Sequence, residues 1–328
     1  MHLQHARDRK AHLLGIAAEA LAATEPRIAG ARPGGLALGL TVRGETAEGP
    51  DYAIAVRYLD EEPCRRALDS LRAEAAADLD IRHTGWIHAL STPAPTPPDL
   101  QRRIRPLRPG LSIAHEDVSA GTLGAFVTDV DGSLFALSNW HVLAGSPRAE
   151  SGDAVLQPGP ADGGEQADRV GTLDMTVPLA PGQVATVDAA LARLDETTVD
   201  STYPVGPVES ATSAVGGERV GKIGRTTAVT AGRVSAIELD EVVVDYGPEM
   251  GRLRFDDQIE IEGTDGAFSA GGDSGSLIYT EDGVALGLLF AGSETGGPGG
   301  TGLTYVNPIE LVLDALGVQL ANGCATTP

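Results

Sequence analysis

The spacing of apolar positions divides the chain into a mixed front part and a long strand-rich remainder. Residues 9 to 22 place apolar side chains at helical spacing, and EEPCRRALDSLRAEAAA, from residue 61, does so again. Between and after them, GLALGLTVRG, DYAIAVRYLD and DLDIRHTGWIHAL read as three strands, with GARPGG as a Gly/Pro turn. The expectation is a small α+β unit with a leading helix over residues 1–90. From about residue 111 to 305 the pattern changes to short strands punctuated by turn residues, as in LGAFVTDV-DG-SLFALSNW, GRVSAIELD, EVVVDYG and SGSLIYT-EDG-VALGLLFAG. Such spacing predicts antiparallel hairpins in a barrel or sandwich, a mainly β fold. NPIELVLDAL then predicts a C-terminal helix capped by Asn307, with Pro308 in its first turn, followed by a tail to residue 328.

Composition sharpens the boundary between the two parts. Residues 1–110 hold 15 Lys and Arg against 14 Asp and Glu, whereas residues 111–328 hold 9 against 32. STPAPTPPDL carries four prolines and QRRIRPLRPG four arginines, so residues 91–110 read as an extended linker whose arginines are expected to dock on the acidic part that follows. A net charge of −22 argues against nucleic acid or an anionic membrane as partner. Cys64 and Cys324 have neither metal-ligand nor CxxC spacing, and no disulfide framework is implied. The first residues superficially resemble a secretion signal, but Glu19 interrupts the apolar run and the pattern suits an amphipathic helix. A cytoplasmic location is expected, with secretion left open. No stretch reaches the ~20 apolar residues of a membrane span. Acid pairs such as Asp256 with Asp257, or Asp240 with Glu241, lack a dense ligand string and predict solvated faces rather than a metal site. No metal or cofactor is expected.

The chemistry centres on GGDSGS, residues 271–276, where glycines around Ser274 predict a tight turn with backbone N–H groups free to meet a substrate oxygen. A serine hydroxyl is a weak nucleophile until a neighbouring base takes its proton. The seven histidines stand at 2, 5, 12, 83, 88, 115 and 141, so a histidine base within the strand-rich part is His141 or His115. His141 is the better placed, at the end of the apolar strand SLFALSNWHVL. Asp188, embedded in VATVDAALARL, is the acid most in need of a buried partner and so the candidate to orient the imidazole. The order His, Asp, Ser excludes the α/β-hydrolase order, in which histidine comes last.

SNWHVLA, VDAAL and GGDSGS together resemble the three catalytic blocks of the trypsin-like, chymotrypsin-fold serine peptidases, and GRTTAVTAGRV resembles a second-barrel strand of their bacterial members. RPLRPGLSIAHEDVSAGTLGAFVTD, LQPGPADGG and FSAGGDSGSLI further resemble bacterial relatives of the plant narrow-leaf protease, in which a small α+β domain also precedes the barrels. The resemblance implies a chymotrypsin-like double β-barrel, the first over 111–200 and the second over 201–306. It implies His141 as general base, Asp188 as its orienting partner, Ser274 as nucleophile, and the N–H groups of Gly272 and Ser274 as oxyanion hole. It places Phe268, Phe290, Ala291, Gly292 and Gly302 around a substrate pocket, which predicts an apolar residue before the cut bond. The loop 292–302 is expected to border that pocket.

The implied reaction is peptide-bond hydrolysis of a protein or peptide substrate through an acyl-enzyme. A catalytically silent scaffold that binds a protein partner, and an esterase with the same triad, are the alternatives. Asp273 matches the family residue that pairs with a freshly cut N-terminus, yet no matching new-terminus motif stands near residue 111. The active turn is therefore expected to form without that cleavage. Assembly into a homo-oligomer through the N-terminal unit is a further expectation.

Overall fold

In the computed structural model, residues 1–22, 35–90 and 99–321 are described. The turn expected at GARPGG, most of the proline stretch of the linker, and Cys324 lie outside them.

The front part forms α1 (Leu3–Ala22), β1 (Leu36–Thr46), β2 (Gly49–Tyr58), α2 (Glu61–Ala75) and β3 (Leu79–His83). The leading helix starts six residues earlier than its apolar spacing suggests, and Ala6, Leu13, Ala17 and Leu21 make its buried stripe. In α2, the Asp60 carboxylate accepts from the Glu62 N–H, satisfying one free donor of the first turn, while Cys64, Leu68 and Leu71 face the core. β1 and β2 form an antiparallel hairpin, and α2 crosses over to bring β3 parallel to β2.

DLDIRHTGWIHAL does not form one strand. It breaks after His83, passes through Gly85 in left-handed backbone (φ +63°), and resumes as β4 (Ile87–Ala89) in a different place. The left-handed backbone at Gly85 favours glycine there, and a Cβ would also push aside the Glu294 carboxylate 2.6 Å away. β3 pairs with β2, whereas β4 pairs with strand Val284–Gly296 of the second barrel.

That second barrel is a closed ring of six antiparallel strands: Arg219–Gly224, Ala228–Asp240, Gln258–Gly263, Gly302–Pro308, Val284–Gly296 and Leu277–Thr280, which returns to the first. The first barrel is an open sheet whose path includes Ala125–Thr128, Leu134–Ser138, Ala190–Leu194 and Arg169–Thr176. The GRTT segment forms the tight link between the first two ring strands, where the sequence places it. The glycine-rich stretch 292–302 is largely strand and a short Pro298–Gly300 turn rather than a loop.

The N-terminal sheet is not a free-standing layer, because β1 pairs antiparallel with Ala228–Asp240, Leu38 facing Asp240 and Leu40 facing Ile237. One sheet therefore runs from barrel to front part, and a single apolar cluster includes Leu13, Leu40, Ile54, Leu68, Ile261 and Leu289. At the junction the Arg57 guanidinium, 1% exposed, meets the fully buried Glu260 carboxylate through two bonds of 2.7 and 2.8 Å. Arg7 and Lys10 reach Glu238 and Asp240, and Arg82 reaches Glu262. Of the linker arginines, Arg103 pairs with Asp168 and Arg105 donates to Gln157 on the first barrel.

The C-terminal helix spans Ile309–Leu316, and Gln319–Leu320 pairs back onto Thr128 and Val127. Asn307 does not cap that helix, since the preceding position is Pro308 and no side chain caps it. Asn307 is fully buried at the end of a barrel strand instead, with another task.

Candidate active site

His141 lies in the short helix Trp140–Leu143 that follows strand Leu134–Ser138, and Asp188 stands two residues before the start of Ala190–Leu194, so two paired strands of the first barrel bring them together. The His141 Nδ1 is 2.5 Å from Asp188 Oδ2, and the His141 backbone N–H points to Asp188 Oδ1 at 3.3 Å. Facing a carboxylate, Nδ1 carries the proton, which leaves Nε2 as the basic nitrogen. Nε2 is buried and has no hydrogen-bond partner among the described residues.

Asp188 is completely buried and held on every side. Its N–H donates to Asn307 Oδ1 (2.9 Å), its carbonyl accepts from Asn139 Nδ2 (2.7 Å), and Asn307 is itself positioned by a bond to Gln258 Oε1 (2.7 Å). The Tyr246 hydroxyl donates to Asp188 Oδ2 at 2.6 Å, and the Tyr246 ring meets His141 edge-on, centroids 5.9 Å apart. Burial, and then the adjacent Asp188 charge, hold the Tyr246 hydroxyl well above the usual tyrosine range, so it remains a donor. No motif in the sequence marks Tyr246 or Asn307 for this role.

Ser274 sits between Gly272 (φ +97°) and Gly275 (φ +92°). A Cβ at Gly272 would come within 2.4 Å of Thr226 Oγ1, and one at Gly275 within 2.3 Å of the Thr122 carbonyl, so both positions require glycine. Between them, Asp273 turns inward, fully buried, and accepts from the N–H groups of Thr226 (2.9 Å), Thr227 (3.1 Å) and Ala270 (3.0 Å) and from Thr227 Oγ1 (2.7 Å). Its counter-charge is Lys222, with Nζ 3.4 Å from Oδ2 and both side chains 0% exposed. The Asp273 carboxylate is thus paired inside the fold with a buried lysine. Burial lowers the Lys222 pKa from the ordinary lysine value, and Asp273 offsets this in part.

The cleft beside Ser274 holds part of the chain itself. β4 runs antiparallel along Val284–Gly296, Ala89 opposite Ala291, His88 opposite Gly292 and Ile87 opposite Ser293. The Leu90 N–H donates to the Phe290 carbonyl (3.3 Å), and the Leu90 carbonyl accepts from the Gly272 N–H (2.8 Å). Ser274 Oγ lies 3.3 Å from the same Leu90 oxygen and 3.3 Å from the Phe290 oxygen. An adjoining cavity of about 510 Å³ is lined by His141, Trp140, His88, Ala89, Asp117 and Tyr246, among others.

Among the pocket residues expected from sequence, Phe268 lies in the interior cluster against which Leu90 packs, and Gly292 faces Leu90, whose Cδ2 would be 3.0 Å from a Cβ there. Ala291 carries β4, and Gly302 pairs with Gly296 farther along the same hairpin. Phe290 is a correction. It offers its carbonyl, but its ring packs on Phe255 (4.8 Å between centroids) in the interior cluster that also holds Ala291. His115 has both nitrogens engaged, Nε2 with Asp153 (3.1 Å) and Nδ1 with the Asp117 N–H (3.0 Å).

No protein-family model matches the chain. It is 36% identical over 113 residues to glutamyl endopeptidase 2 of Streptomyces griseus, a match covering 34% of this chain and 53% of that protein. It is likewise 36% identical over 115 residues to serine protease 1 of Streptomyces fradiae, covering 34% of this chain and 28% of that protein. The chain thus spans about half of the first relative and less of the second. Among solved structures, Nocardiopsis protease aligns with a TM-score of 0.48 at 19% identity, over 66% of this chain and 99% of that one. Over about a third of its length the chain is thus similar in sequence to these two Streptomyces proteases.

Proposed function

We propose that the protein is a serine endopeptidase acting through an acyl-enzyme. His141 takes the Ser274 proton and later returns it to the leaving amine, while Asp188 orients the ring and stabilises its cation. The N–H groups of Gly272 and Ser274 hold the oxyanion. The observation that carries the reading is the pair formed by a carboxylate-anchored imidazole with a free Nε2 and a serine whose glycine turn presents a backbone N–H to a carbonyl oxygen. Tyr246, through Asp188, is a positioning residue rather than a participant.

Labelling with a fluorophosphonate tests this directly. Ser274 should take up the probe and Ser274→Ala should not; uptake at another residue, or none in any folded form of the chain, refutes the assignment. Hydrolysis of esters with no cleavage of proteins would favour an esterase. For specificity, the side chains of Phe268, Ala291 and Gly292 offer no group to recognise a charge, which supports an apolar residue before the cut bond, unlike the specificity in the name of the Streptomyces griseus relative.

A further inference from the structure

We propose that the cavity beside His141 is a second specificity subsite, which receives a cationic side chain, arginine above all, from the substrate residue that precedes the apolar one. The inference deepens the serine-protease reading above and rests on it.

β4 marks the course of a backbone through the cleft. The Leu90 carbonyl takes the Gly272 N–H and stands beside Ser274 Oγ, so Leu90 corresponds to the residue before a cut bond and Ala89 to the one before that. Ala89 is partly buried and lines the cavity of about 510 Å³, which has far more room than a methyl group fills. The rings of Trp140 and Tyr246 line it as well, and aromatic rings in a partly dry site attract a guanidinium. An independent sign that a substrate lies here comes from His141, another lining residue. Its Nδ1 is taken by Asp188, while Nε2 is buried without a hydrogen-bond partner among the described residues.

The fixed charge of the cavity has one sign. Asp117, exposed at its mouth, and Asp245, partly buried, both line it. Among the described residues neither carboxylate has an ion pair: Asp245 Oδ1 accepts from the Gly247 N–H (2.7 Å), and Asp117 engages His115 through its backbone N–H (3.0 Å). The neighbouring cations are committed elsewhere. Arg252, across the strand pair from Asp245, lies over the Trp86 ring, 4.0 Å from its centroid, and Arg148 pairs with Glu249. His88, at the rim, stands 3.9 Å from Glu294. An acidic side chain entering the cavity would meet two like charges, whereas arginine meets two opposite ones and two rings. One cation against two carboxylates also leaves the cavity negative, so arginine there does not oppose the imidazolium that forms on His141 during catalysis.

The test reads the cavity first through residue 89 itself, in the full Ser274→Ala chain so that no turnover intervenes. Ala89→Arg, Ala89→Gln and Ala89→Glu present a cation, a neutral group and an anion there, and urea unfolding compares them. The folding equilibrium constant should be at least about 5-fold higher for arginine than for glutamate, with glutamine between them and serving as the reference if the glutamate variant does not fold. Asp245→Asn, which keeps the acceptor for Gly247, or Asp117→Asn should narrow the spread, as should about 1 M salt. Equal tolerance of the three, or a spread that neither asparagine moves, overturns the proposal. On free peptides, arginine followed by leucine before the cut bond should give a kcat/KM at least about 10-fold above that of glutamate followed by leucine, and a ratio near one overturns it too. Fluorophosphonate labelling of the wild-type chain separates this from the reading beneath it. A labelled chain that shows no charge preference refutes the subsite alone, whereas an unlabelled chain that cuts neither peptide removes the protease and its subsite together.

Discussion

Lys222→Met separates two ways of holding the Ser274 turn. At 3.4 Å, the Lys222–Asp273 attraction is about 5 kcal/mol for an effective dielectric constant of about 20. Against that stands the cost of burying the ammonium, visible in the lowered Lys222 pKa. The carboxylate left behind still keeps three backbone N–H donors and the Thr227 hydroxyl. The expected loss is therefore about 3 kcal/mol, the low end for removing one partner of a buried pair. Urea unfolding measures it, and the double variant Lys222→Met/Asp273→Asn, which leaves no lone charge, should recover at least about 1 kcal/mol of it. The pH dependence has a definite sign. Because the folded pKa of Lys222 lies below 10.5, the unfolded chain binds the additional proton in the alkaline range beneath 10.5. Wild-type stability therefore rises there relative to Lys222→Met, and the gap between the two widens with pH. A loss under about 0.5 kcal/mol, or a gap that narrows, would show that the backbone donors alone fix the turn.

Two further substitutions probe the site. Tyr246→Phe removes the 2.6 Å bond to Asp188 and should lower kcat about 10- to 100-fold with KM little changed; an unchanged kcat would leave Tyr246 with packing alone. Gly272→Ala forces a Cβ within 2.4 Å of Thr226 Oγ1 at a φ of +97°, and should cost about 100-fold or more in kcat while urea unfolding still shows a cooperative transition; near-normal turnover would argue against the Gly272 N–H as oxyanion donor.

The legible parts of this protein were those with a local physical signature. Strand alternation and turn residues mark both barrels; the absence of histidine after residue 141 and an acid embedded in an apolar strand single out His141 and Asp188, which the fold brings within hydrogen-bonding distance. GRTTAVTAGRV was readable as a second-barrel strand, but its Thr N–H groups cradling Asp273 were not, because the cradle depends on a residue 47 positions away. Lys222 reads as an ordinary polar strand position until the ring of strands closes around it, and Tyr246 reaches Asp188 across 58 residues. Asn307 sits where a helix cap would, and only burial reveals that its amide serves Asp188. The largest shortfall concerns the front part: periodicity shows that residues 78–90 are extended but not that Gly85 divides them between two different strand neighbours, nor which neighbour takes the open edge of β1.

The junction that β1 forms has a consequence for association. Its ion pairs have one polarity: Arg7, Lys10, Arg57 and Arg82 come from the front part, and Glu238, Asp240, Glu260 and Glu262 from the second barrel. Two copies meeting through like faces would set cation against cation or carboxylate against carboxylate, so the seam disfavours homotypic docking there and accepts only its opposite half. Charge at this seam thus acts as a key that matches each front part to a barrel.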